Sequence, residues 1–181
     1  RNFLSTGNQF TEIDLSEAKT SLIIGSNGAG KSTVLDALTF TLFNKPFRKI
    51  SKGQLINSVN EKDCVVEIDF SIGKIDWKVV RGIKPNIFEI HKNGTVLDQK
   101  AAATDQQKWL EEQVLKLNYK SFTQIVVLGS ASFVPFMQLS APNRREVIED
   151  LLDIKIFSVM GLILRERIRG SNERLRELSI R

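Results

Sequence analysis

Residues Gly25-Ser26-Asn27-Gly28-Ala29-Gly30-Lys31-Ser32 limit this chain's possible folds more than any other stretch. They satisfy the pattern G-x-x-x-x-G-K-[ST] at every fixed position. The glycine frequency of ordinary proteins gives such a match by chance in roughly one chain of this length in a hundred. The flanks lower that further. Residues 20–24 (Thr-Ser-Leu-Ile-Ile) read as a short buried strand, and residues 31–43 as a helix with Val34, Leu35, Leu38 and Leu42 on its apolar face. Strand, glycine loop and helix together form a phosphate cradle. Glycines let backbone N–H groups turn inward, and the helix N-terminus adds its dipole and unpaired donors. In such a loop Lys31 reaches the β- and γ-phosphates, and the Ser32 hydroxyl is placed to hold Mg²⁺.

The rest of the composition sets limits. The chain has 181 residues, 41% hydrophobic and 26% charged, enough for one domain with a core. A net charge of +5 suits a polyanionic partner mildly, and much of the excess lies in the arginines from Arg165 to Arg181. A single cysteine, Cys64, excludes an internal disulfide and fits a reducing compartment. No apolar run approaches the length of a membrane span, and no signal peptide is visible. The first residue is Arg1, so the chain is expected to be a piece of a longer protein.

Along the chain, Phe10, Ile13 and Leu15 are spaced like a strand after a turn at Gly7-Asn8. A basic polar segment follows the first helix at residues 44–60, with Lys45, Arg48, Lys49 and Lys52. Residues 64–70 alternate: Cys64, Val66, Ile68 and Phe70 face one way, Val65, Glu67 and Asp69 the other. Strands at 75–81, 86–92 and 95–97 complete an antiparallel meander, with Asn93-Gly94 as its last turn. Thr104 and Gln107 form a capping-box signal for a helix carrying Leu110, Val114 and Leu117 inward. Residues 122–128 read as a buried strand of a parallel sheet. Residues 130–139 read as a loop. Ser140 and Pro142 start a helix with Val147, Ile148, Leu151 and Leu152 inward. Finally Leu164, Ile168, Leu175 and Leu178 fall on a heptad seam with Gly161 and Ser171, among Arg and Glu. That pattern predicts the start of a coiled coil, although Gly170 is a poor helix former.

Half of a nucleotide-hydrolysing site is missing. A Walker-B strand reads as four apolar residues and then Asp, but Val65-Val66-Glu67-Ile68-Asp69 alternates, Ile148-Glu149-Asp150 lies on a helix, and Val126-Val127-Leu128-Gly129 has no acid. There is no L-S-G-G-Q signature; Leu139-Ser140-Ala141-Pro142 shares two letters and reads as a helix start.

With these pieces in order, the chain resembles the N-terminal half of the ATPase head of SMC-like DNA double-strand-break-repair ATPases, the SbcC and Rad-fifty type. Arg1-Asn2-Phe3-Leu4-Ser5 matches that family's opening strand, and residues 23–37 match its phosphate loop and helix. Residues 52–58 and 124–129 resemble the phage branch in particular, the large subunits of phage recombination exonucleases. Pro135-Phe136-Met137 and residues 144–152 match the stretch before the coil. The loop is generic, whereas the ordered set is specific and covers nearly the whole chain.

The resemblance implies an α/β fold of the P-loop NTPase class: the N-terminal lobe of an ABC-type head at residues 1–155, with an inserted meander, and an emerging coiled coil at 156–181. It implies an ATPase with ATP and Mg²⁺ as ligands. Ser26, Asn27, Gly28, Ala29, Gly30, Lys31, Ser32 and Thr33 would hold the phosphates, with Lys31 catalytic. Cys64, Val65 and Val66 would lie beside the nucleoside, though strand core explains them equally well. Ser32 would hold the metal, joined by Ser130 or Gln124 in place of the family's loop glutamine. Many relatives carry Arg where Leu4 stands, leaving Ser5 and Arg1 as candidates for that neighbourhood. The implied partners are the C-terminal half of the same head, a second copy closing around ATP, a nuclease subunit near the base of the coil, and double-stranded DNA, with no membrane. The implied setting is the cytoplasm, that of the host if phage-encoded, or the nucleoid. The isolated chain is expected to be inactive.

Two other functions compete with this one. A chromosome-organising SMC ATPase without a nuclease shares the loop, while a nucleoside kinase would need its own acid and an arginine lid, neither of which is visible. Among remaining residues, His91 reads as an exposed strand residue, Trp77 and Trp109 as core. The 45–52 basic cluster reads as a solvated loop, with DNA phosphates as the alternative.

Overall fold

The computed structural model describes residues 1–98, 102–127, 134–152 and 154–179. They form two compact units, Arg1–Val114 and Leu115–Arg181. The last helix begins at Lys155, beside the boundary expected at 155/156.

The first unit is built around helix α1 (Lys31–Phe43), with the bounds the sequence predicts. It begins after Gly30 and ends at Asn44; both have left-handed backbones, and the Asn44 N–H closes on the Phe40 carbonyl at 2.8 Å. Its deepest face differs from the expected one. Leu42 is buried as expected, together with Asp36, Thr39, Phe40, Thr41 and Phe43, whereas Val34, Leu35 and Leu38 are half-buried. The reason is that the last two turns sink into the unit. There Phe40 packs on Phe3 (ring centroids 5.7 Å apart), Leu55 and Cys64.

Against this core lies an antiparallel sheet in the order β1 (Cys64–Ile72), β2 (Ile75–Ile83), β3 (Ile87–Lys92), β4 (Thr95–Val96). The meander is as predicted, including the positive φ of Asn93 and Gly94 at the last turn. The alternation is weak in β1: Cys64 and Val65 are both buried, Val66, Glu67 and Ile68 are all half-buried, and only from Ile68 to Ser71 do half-buried and exposed residues alternate. Arg1 pairs with Val65 there, its nitrogen donating to the Val65 carbonyl at 2.8 Å and its carbonyl accepting from Val65 N–H at 3.1 Å. Trp77 is core as expected, packed at 6.2 Å on Trp109. His91 is half-buried rather than exposed, 3.2 Å from the Glu89 carboxylate.

Helix α2 (Ala103–Trp109) runs into a wider π-type turn at Leu110–Leu115, and Leu110 and Val114 are buried as predicted. The capping box at Thr104 does not form. Ala102 is the N-cap, and Gln107 is used elsewhere. Its amide donates to the Leu42 carbonyl at 2.9 Å and to Glu111 at 2.7 Å, while its oxygen accepts from Arg81 at 2.6 Å. Arg81, on β2 and buried, also donates from Nε to the Thr41 carbonyl at 2.9 Å and stacks 3.8 Å over Phe88. Carbonyls at the C-terminal end of α1 are thus satisfied by two side chains from other elements. Burial holds the Arg81 guanidinium down at about 10.

Residues 20–24 are not a strand: Leu22 and Ile24 are 83% and 82% exposed. Phe10, Ile13 and Leu15 are likewise about half exposed and outside any strand. A strand exists only through its neighbours' hydrogen bonds, and neither segment has a neighbouring strand among the described residues. The chain bends at Asn8-Gln9, beside the turn expected at Gly7-Asn8, and a further turn lies at Leu4-Ser5, closed by Thr6 N–H on the Phe3 carbonyl at 2.9 Å.

The second unit contains α3 (Tyr119–Ile125), a 3₁₀ turn (Phe136–Gln138), α4 (Ala141–Leu151) and α5 (Lys155–Ser179). The strand predicted at 122–128 is helical through Ile125, and Leu128 lies outside the described residues. Asn118 starts the helix, its side chain accepting from Ser121 N–H at 2.9 Å. Helix α4 follows Ser140 as its N-cap, with Pro142 in its first turn, as read. Its buried face is Val147 and Asp150, not Ile148, Leu151 and Leu152, which are 42–61% exposed. Polar contacts choose that face: Ser121 donates to Asp150, and Lys120 donates to Asn143 at 2.8 Å and Glu146 at 2.7 Å. Helix α5 continues through Gly161 and Gly170, and its seam residues Leu164, Ile168, Leu175 and Leu178 are 50–69% exposed. Among the described residues no helix is long and apolar enough to cross a membrane.

Burial in the first unit raises the Cys64 thiol from 9.0 to about 11. The unfolded chain therefore ionises first, so this contribution to stability is complete below pH about 9 and is lost as pH rises through about 11. Urea unfolding of the parent chain and of Cys64→Ala across pH 8 to 11 checks this. The parent should lose more stability over that window than the variant.

Candidate functional site

The loop before α1 folds around two glycines with left-handed backbones, Gly28 at φ 87° and Gly30 at φ 90°. Ala29 N–H bonds the Ser26 carbonyl at 3.2 Å, and Thr33 N–H bonds the Gly30 carbonyl at 2.9 Å. The ammonium of Lys31 curls back over the loop, donating to the carbonyls of Gly25 at 2.6 Å and Ser26 at 2.8 Å. Its charge is therefore fixed above the loop backbone. Ser32 is exposed on the first turn of α1. No acidic side chain occupies that turn, so the positive end of the helix dipole is not neutralised locally.

A cleft of about 610 Å³ opens over this loop. Asn27, Gly28, Gly30, Lys31, Ser32 and Thr33 line one side. Leu4, Ser5, Arg48, Gln54, Ile56 and Ser58 line the rest. The volume falls within the range of small-molecule sites, and the donors are backbone N–H groups, hydroxyls and two cations. This set fits a phosphate chain with a hard cation on Ser32. Gln54 is held by its own turn, its Oε1 accepting from Ser51 N–H at 2.8 Å. That is the capping interaction expected for Gln107 and found here instead. Nearby, burial and the charge of Arg81 lower the Lys52 ammonium.

Ser26 and Ala29 belong to the loop without lining the cleft, Ser26 through its carbonyl. Of the two candidates for the neighbourhood of Leu4, Ser5 lines the cleft and Arg1 instead sits 5.3 Å over the Phe10 ring. Cys64 and Val65 are buried in the core, with Val66 packed against it, and none of the three lines the cleft. Gln124 lies on α3 in the second unit, its Oε1 buried and without a hydrogen-bond partner among the described residues. Ser130 lies outside the described residues. Sequence reasoning places Arg48 only in a basic segment and overlooks Gln54 and Ser58 as site residues. No local pattern marks any of them, because their position depends on how residues 44–60 fold back over α1.

A family model described as an AAA domain matches residues 1–176. "Exonuclease subunit 2" of Escherichia phage RB69 is 44% identical over 172 residues, 95% of this chain and 30% of that protein. The protein of the same name from Enterobacteria phage T4 is 47% identical over 160 residues, 88% of this chain and 28% of its own length. A "Probable DNA double-strand break repair Rad50 ATPase" of Aquifex aeolicus is 29% identical over 149 residues, 79% of this chain and 15% of that protein. The chain thus spans about three tenths of the phage relatives it matches.

The glycine geometry has a measurable consequence. Gly30→Ala places a Cβ at φ 90°, which costs about 1–2 kcal/mol. Gly53→Ala, with nothing within 4 Å of the new Cβ, should leave stability unchanged or raise it by up to about 1 kcal/mol. Urea unfolding of the two variants against the parent checks the contrast.

Proposed function

This chain belongs to the AAA-domain family, and on that premise we propose that it is the ATP-binding N-terminal lobe of a DNA-repair ATPase head that controls a nuclease. The observation that carries this is the loop itself: two left-handed glycines, Lys31 fixed above them, and an open α1 N-terminus, all facing one cleft. The names of the phage relatives, exonuclease subunits, favour a nuclease partner over a chromosome-organising role.

In this reading the phosphates lie along the loop. Backbone N–H groups of residues 27–33 and the α1 dipole hold the negative charge, and Lys31 exchanges its Gly25 and Ser26 carbonyls for phosphate oxygens. Mg²⁺, held through the Ser32 hydroxyl, supplies charge neutralisation when bound. The nearest carboxylate on α1 is not available to that metal. Asp36 is fully buried, and both its oxygens are engaged by Arg48. The acid and the water-positioning group then come from the C-terminal half of the same head and from a second head closing over ATP. Residues 1–155 act as the lobe, and residues 156–181 begin the coil beside which the nuclease docks.

Lys31→Ala should reduce ATP turnover by the full-length protein on the order of 10³-fold or more. Near-normal turnover by a folded variant would remove the assignment. Residues 1–181 alone should turn over no ATP, and adding a separately made C-terminal half should restore it; turnover by the lone chain would revive the kinase alternative. Light scattering of the complete head should show dimers with a non-hydrolysable ATP analogue and monomers with ADP. Association that ignores the nucleotide defeats the proposed closure.

A further inference from the structure

Two side-chain cations line the phosphate cleft, and they arrive there by different routes. Lys31 comes with the loop. Arg48 comes from the polar segment after α1 and is fixed from behind by Asp36, which is 0% exposed. One carboxylate oxygen of Asp36 accepts Arg48 backbone N–H at 2.9 Å. The other accepts Nε at 2.6 Å and Nη2 at 2.5 Å. Both oxygens are therefore spent on one residue, main chain and side chain together, which sets the orientation of the guanidinium as well as its charge.

The pair is lopsided in burial. The acid is sealed in, while the Arg48 side chain is 45% exposed on the cleft wall. Among the described residues Nη1 has no protein acceptor. A planar guanidinium with spare donors in a cleft already holding an ammonium suits a polyanion better than a point charge does. Asp36 also stands four residues after Ser32, on the same face of α1. The helix that carries the phosphate loop thus carries the anchor of the second cation, and their separation is set by one rigid element.

We propose that Arg48 is a second phosphate-contacting residue of the nucleotide site and that Asp36 is its positioning residue. Arg48 donates hydrogen bonds to non-bridging phosphate oxygens, adding a second fixed positive charge to that of Lys31. The inference rests on the nucleotide-binding reading above, and the test separates the two. Equilibrium ATP binding is measured on the full-length protein and its variants, with thermal melting as the control for folding. A parent protein that does not bind ATP overturns the nucleotide reading itself. If the parent binds, Arg48→Gln should weaken ATP at least about tenfold, the scale of a lost hydrogen bond to a charged group. Arg48→Lys should recover part of that loss. Arg48→Gln leaves Asp36 buried without its cation and so risks misfolding. The neutral pair Asp36→Asn with Arg48→Gln avoids this and should show the same loss. Unchanged ATP affinity in either folded variant overturns the role of Arg48. Asp36→Asn alone should weaken ATP about threefold or more; a lower melting temperature with intact ATP affinity would make Asp36 merely structural and overturn its positioning role.

Discussion

Everything about the first unit follows from how α1 is held. A phosphate loop carries its donors on the backbone, and apart from Lys31 bonding the Gly25 and Ser26 carbonyls its stiffness has to come from the helix behind it. Phe40 supplies the apolar part, fully buried among Phe3, Leu55 and Cys64. Arg81 and Gln107 supply the polar part by taking the Thr41 and Leu42 carbonyls. The C-terminal end of α1 is thereby fixed to β2 and α2, and the N-terminal end stays open. A helix anchored at both ends would leave no donors for a ligand, and one anchored at neither would not hold two left-handed glycines in register.

The same anchoring explains which parts of the fold are legible in the sequence. Helix α1 and the meander depend on local signals: Gly30 and Asn44 at the helix ends, and Asn93-Gly94 at a tight turn. Each of these elements appears within two residues of its predicted bounds. Residues 20–24 and 122–128 read as strands on apolar content alone, which is the weakest local signal, because β propensity expresses packing against neighbours. With no neighbouring strand among the described residues, the first stays irregular, and Asn118 turns the second into α3. Gln107 shows the opposite error. A side chain with correct capping spacing is drawn away by a buried arginine, which offers a stronger, charge-assisted partner.

In the site, the residues of the motif are legible because the motif is a statement about backbone shape, and glycine is the residue whose identity reports backbone shape most directly. The rest of the cleft lining is not. Arg48, Gln54 and Ser58 reach the cleft through a segment that is mostly irregular, with one short 3₁₀ turn at Lys52–Leu55. The clue in the sequence is an aspartate on an otherwise uncharged run of α1. A carboxylate does not remain fully buried without a cation, so Asp36 announces a partner without saying which one.

What the two units leave exposed is consistent with a divided head. Leu22 and Ile24 make no ladder hydrogen bonds with described residues although their composition suits the middle of a sheet. In the second unit, Ile156, Phe157, Val159, Met160, Leu162, Ile163 and Leu164 are all 47–67% exposed along one stretch of α5. An apolar helix exposed all round needs covering on more than one side. The incomplete chemistry and the incomplete surface then have one explanation. The C-terminal half of the head, as proposed, would both cover apolar surface and bring the missing acid to the cleft beside Lys31. Covering that surface and completing the site are, in this reading, a single event.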